Sequence, residues 1–191
     1  RGKMAEDFRN QVDRAVGVVT SYSGSTVAAA STAITVTALT GIGVSFLVDN
    51  PNFIAGTKVV STSPVSGGVG TVFTDKNSTN TSSAPSQVVR FLGPTTAFTS
   101  PSATKSIIIG GTFANNTNGS VNLSVEMYDT SVGVTSTGSV AIASKIPVPS
   151  GSSFVISDTG KTLLEGGDEL KVYCDTTDAI DVSLSILTGV N

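Results

Sequence analysis

Residues 106–128 read SIIIGGTFANNTNGSVNLSVEMY, and the fold turns on them. Ser106 to Ala114 is a dense apolar run of strand length. Asn118-Gly119 follows, a dipeptide that accepts positive φ and favours a two-residue hairpin. Beyond it Val121, Leu123, Val125 and Met127 alternate with Asn122, Ser124, Glu126 and Tyr128, the period of a half-buried strand. The stretch therefore predicts two strands joined as a hairpin. Working outward, further strands are expected at 139–146, 152–157 and 169–174. After a turn at Asp175 to Asp178, Ile180, Val182, Leu184 and Ile186 alternate to the end. Short strands at hairpin spacing, with no helices between them, exclude a parallel α/β sheet. The predicted class is all-β: an antiparallel β-sandwich, Ig-like or jelly-roll-like, over residues 93–191.

The composition points the same way. The 191 residues include 27 Ser and 26 Thr, and charged residues are only 13%. Mean hydropathy is nevertheless +0.24, because Val and Ile offset the hydroxyls, so the Ser/Thr load is not a mark of disorder. From 21 to 92 short β runs alternate with polar turns, and Asp75 to Ser83 forms a long polar loop. This segment reads as a small β-rich insertion. Residues 1–20 read as a helical arm: Phe8, Val12, Ala15 and Val19 recur at spacings of four, three and four. Glu6 and Asp7 suit the first turn of a helix and Gly17 its far end. The stripe must dock, either on its own domain or on a neighbouring subunit, and these four residues are the candidate partner-binding set.

Few residues can carry chemistry. With no histidine there is no Ser-His-Asp triad and no His-ligated metal. The lone Cys174 shares a strand face with Leu170 and Val172 and reads as a buried structural thiol. A pI near 4.8 removes the general attraction to phosphate, so nucleic acid is not an expected partner. No run reaches the ~18 apolar residues of a membrane span, and the first residues lack the apolar core of a secretion signal. Gly67-Gly68-Val69-Gly70 and Gly56-Thr57-Lys58 lack the helix that a phosphate-binding loop precedes, and read as turns. Seven of the fourteen acidic residues lie between Asp158 and Asp181, without the ligand spacing of a calcium loop. The chain is accordingly expected to be no enzyme and to hold no cofactor and no metal.

Two stretches resemble a known family. The opening FRNQVDRAVG, residues 8–17, resembles the start of small virion structural proteins of tailed, T-even-like bacteriophages, best known from myoviruses of marine cyanobacteria. Residues 94–129 and 145–187 are similar to the β-sandwich of that family. They carry an entry strand ending in Ala-Asn, a Pro-x-Pro-x-Gly turn, Leu-x-x-Gly-Asp-x-Leu-x-Val and a final Asp-Val-Ser-Leu-Ser strand. The chain departs from the compact family pattern where residues of about 20–90 intervene. Within them TGIGVSFLVDNPNFIAGTKVVSTS, residues 40–63, resembles a short repeat of phage tail and fibre proteins. The resemblance implies a capsid decoration or neck/tail accessory subunit of the virion, assembled in the host bacterial cytoplasm. Its partners would be other virion proteins and copies of itself. The alternative is a bacterial surface adhesin-type or carbohydrate-binding module, and a third reading is a carbohydrate-binding or hydrolytic tail protein using the acidic end near Asp168 and Asp175.

Overall fold

The structure is a computed structural model and describes residues 6–65, 67, 69–132, 138–156 and 161–190. These hold fifteen strands, a 3-10 turn at Thr130–Val132 and no α-helix. In chain order the strands are β1 (Asp7–Val16), β2 (Val18–Val27), β3 (Ala33–Val36), β4 (Leu47–Asp49), β5 (Val59–Pro64), β6 (Gly70–Thr74), β7 (Ala84–Gly93) and β8 (Thr95–Thr99). Then follow β9 (Lys105–Asn115), β10 (Val121–Tyr128), β11 (Ser139–Val148), β12 (Ser153–Ile156), β13 (Thr162–Leu164), β14 (Glu169–Cys174) and β15 (Ile180–Val190). The protein is all-β with antiparallel sheets. It divides into two compact units: Arg1–Gly17 with Thr95–Asn191, and Val18–Pro94 between them in sequence.

The first unit has two sheets. One runs β1-β15-β9-β12, with β13 also paired to β9, and the other runs β11-β10-β14-β8. Phe113, Leu184 and Ile186 from the first sheet join Leu123, Leu170, Val172 and Cys174 from the second in one hydrophobic cluster. Period-two alternation accounts for this along β14 and β15, where Leu170, Val172 and Cys174, and Ile180, Val182, Leu184 and Ile186, enter the shared core.

The helix expected over the N-terminal arm is absent, because the segment is strand β1. It pairs with β15 from Asp7↔Thr188 to Val16↔Ile180, with an irregularity between Asp13 and Val16. About 14 residues make a marginal helix, and Val12 and Val16 are β-branched. β15 buries Ile180, Val182, Leu184 and Ile186 on one side and offers a row of backbone groups along its edge. Satisfying that edge outweighs local helix preference. Gly17 ends the strand at φ +140°, where an added Cβ would lie 2.1 Å from the Thr176 carbonyl oxygen.

The hairpin expected at Asn118-Gly119 is also corrected. β9 and β10 lie in different sheets, so residues 116–120 cross between sheets instead of joining neighbours. Asn115 organises the crossing. Its Nδ2 donates to the carbonyls of Gly119 (2.7 Å) and Val148 (2.9 Å), and its Oδ1 accepts from the Thr117 backbone N–H at 2.8 Å. Alternation tells which side chains turn inward, not which strand lies alongside. Facing β9 across the core buries the apolar sides of both strands.

The second unit is one six-stranded sheet, β4-β7-β2-β3-β6-β5. Val27, Ile34, Val36, Val72, Val89 and Phe91 are in its core. The Asp75 to Ser83 loop is fastened down: Ser78 Oγ donates to the Ala28 carbonyl (2.6 Å), and Asp75 Oδ1 accepts from the Lys58 N–H (2.7 Å). An Arg90–Asp49 ion pair joins β7 to β4 in register.

Candidate interaction face

The structure separates the four residues of the expected stripe. Phe8 and Val12 share the outward face of β1 and are 61% and 64% exposed. Ala15 occupies the irregularity at φ 56°, and Val19 belongs to β2 in the other unit. The spacing of four that suggested a helix stripe also satisfies a strand, where residues two and four apart share a face.

Around Phe8 and Val12 the first sheet builds a face that the sequence reading missed. Phe8 stands opposite Leu187, Leu187 opposite Ile107, and Ile107 opposite Leu163. An apolar row therefore crosses four strands, from β1 to β13. A second row runs Val12, Ser183, Thr112, Val155. The row between them is small and polar, with Asn10, Ser185 and Gly110. Leu163 and Val155 are 46% and 54% exposed at the far margin. One signal for this face lay in the sequence: Ile107-Ile108-Ile109 and Leu163-Leu164 are apolar at both parities, so one side chain of each set must face out.

Charge lies at both ends of this face: beyond the Ile107–Leu163 row Lys105 Nζ lies 2.8 Å from Glu165 Oε1, and beyond the Val12 row stand Arg14 and Asp181. Ala15 N–H donates to Asp181 Oδ1 at 3.0 Å, and Arg14 Nε lies 3.9 Å from Asp181 Oδ2. The backbone hydrogen bond, more than the guanidinium, holds the Asp181 carboxyl below the usual carboxylate range. On the inward side of β1, Arg9 sits 5.7 Å over the Phe98 ring. Asp13 also faces inward, opposite Val182, and its Oδ2 is buried without a hydrogen-bond partner. Burial pushes this carboxyl up.

Other titratable clusters are structural fastenings. Asp168 is buried and accepts from the backbone N–H of Glu165 (3.0 Å) and of Thr130 (3.2 Å). Asp175 accepts from the N–H (2.9 Å) and Nδ2 (2.8 Å) of Asn122. Both carboxylates proposed for a glycan thus hold turns in place. On the outer face of the second sheet, Lys171 Nζ lies 3.0 Å from Glu169 and 3.9 Å over the Tyr128 ring. Burial, then the neighbouring Glu126 carboxylate, pushes the Tyr173 hydroxyl up. Cys174 is buried in the core. Asp158 and Gly68 lie outside the described residues. Among the described residues, no three His, Cys, Asp or Glu side chains gather as a metal site, and no helix is long and apolar enough to cross a membrane. Comparison of the chain with protein-family models, with curated proteins and with solved structures gives no match.

Proposed function

We propose that this chain is a non-enzymatic structural protein of a tailed-phage virion, a capsid decoration or neck/tail accessory subunit. On this reading its first unit is a β-sandwich of Ig-like or jelly-roll-like kind, packed on other virion proteins and on copies of itself. The observation that carries the reading is the outward apolar face of the first sheet around Phe8 and Val12. Such a face, with its charges paired off at its two ends, suits a surface that meets protein. On a repeating particle, contacts too weak to hold singly add through effective concentration. The resemblance of residues 8–17, 94–129 and 145–187 to phage virion proteins supplies the particle. Carboxylates occupied in fastening turns also favour a building block over a catalyst.

The test is mass spectrometry of gradient-purified phage particles from the source culture. The chain should be present in many copies per particle. Its absence from particles, with recovery in the cell-envelope fraction, would replace this reading with the adhesin.

A further inference from the structure

We infer that the outward face of the first sheet is an interface between two copies of this chain, stacked face to face about a twofold axis along the strands. This rests on the structural-protein reading of the same face and names its partner.

The pattern of the rows is the argument. An axis parallel to the strands, between β15 and β9, keeps each row on itself and exchanges the margins of the sheet. Phe8 then covers Leu163 of the second copy, and Leu187 covers Ile107. Val12 covers Val155, and Ser183 covers Thr112. Large apolar groups meet large apolar groups, while small residues meet small ones in the middle, where two sheets must approach to roughly 10 Å. A twofold interface demands this self-complementarity, whereas an unrelated partner does not. The charged ends do not oppose it, because Arg14 is partnered with Asp181, and Lys105 with Glu165, within one copy.

Edge-to-edge pairing through β1 is the other way two copies could meet, and the strand is built against it. Arg9 lies over the Phe98 ring on the inward side of β1, and Asp13 points inward beside an irregularity in its register, devices that discourage strand addition. Four strands at ~4.8 Å and about eight residues at ~3.3 Å give a face of about 500 Å² per copy. The pair buries about 1,000 Å² in total, at the lower end of specific interfaces. Such a dimer forms at high concentration and gains strength on a lattice.

The experiment mixes two single variants, Phe8→Cys and Leu163→Cys, with a short bis-maleimide whose span matches the roughly 10 Å between packed sheets. Both positions are exposed and Cys174 is buried, so each variant keeps its fold and offers one reactive thiol. Covalent dimer should form in the mixture and not in either variant alone, where the two thiols lie at opposite margins. No dimer in the mixture, or equal dimer in the separate variants, overturns the interface. Sedimentation of the unsubstituted chain is the second readout, and a chain that stays monomeric up to about 1 mM has the same meaning. A chain that fails here yet is found in purified particles loses this interface and keeps the virion reading. A chain that crosslinks as expected but is absent from particles keeps the interface and loses the virion.

Discussion

Asp13 is the residue whose energetics are least settled by its neighbours. Its Oδ2 is buried without a partner and its carboxyl is pushed up by burial. A raised folded-state pKa means that the native state binds the proton more tightly than the unfolded chain. The charged form therefore costs stability at neutral pH, and the cost fades as pH falls through the folded value. Asp13→Asn should raise stability at pH 7, with the gain shrinking in acid thermal melts. Asp181 has the opposite sign. Held low by the Ala15 N–H, it contributes stability above the ordinary carboxylate pKa that is lost as pH falls through its folded value. Asn115, and not Asn118, shapes the crossing between sheets. Asn115→Ala removes bonds from a buried amide and should cost about 2–4 kcal/mol by chemical denaturation. Asn118→Ala, at an exposed position, should change stability by less than about 0.5 kcal/mol. Equal effects would mean that the Asn-Gly dipeptide, not Asn115, shapes the turn. Gly17→Ala should cost about 3 kcal/mol, since neither φ +140° nor the Thr176 carbonyl oxygen tolerates a Cβ.

Strands were legible as strands wherever one face is buried and the other wet. β10, β14 and β15 follow their alternation closely: Leu123 and Val125, Leu170 and Val172, and Leu184 and Ile186 all lie in the core. What alternation does not encode is the neighbour. β9 and β10 are adjacent in sequence yet pair with β15 and β14, because the core is filled by facing them across it. β1 departs from the expected helix for a related reason. Phe8 and Val12 satisfy both helix and strand spacing, and the deciding term is the edge of β15, more than 160 residues away. Tertiary pairing outweighs local propensity here. The consequence is testable: removing residues 1–17 should not release an intact first unit. It takes away Val16, a buried core residue, and strips the edge of β15. We expect a loss of about 3 kcal/mol or more and aggregation through the bared strand. A truncated chain that melts like the full one would show that β1 is a detachable arm after all.

For the whole molecule, two compact units follow from one chain path that enters the first unit, leaves it after Gly17 and returns at Thr95. The β-rich character of residues 18–94 could be read from its short runs. That the N-terminal segment belongs with the distant C-terminal strand could not, because only the ladder to β15 reveals it. The outward face was half legible. Phe8 and Val12 stood out as large apolar residues in a polar segment, whereas Leu187, Ile107 and Leu163 become neighbours only when register lines them up. Function at this scale is a matter of where the molecule sits, so the most direct measurement is antibody-gold electron microscopy of the source culture against this chain. The account predicts gold on phage particles, spread over heads for a decoration subunit or gathered at neck or tail for an accessory one. Gold on cells with bare particles would contradict it.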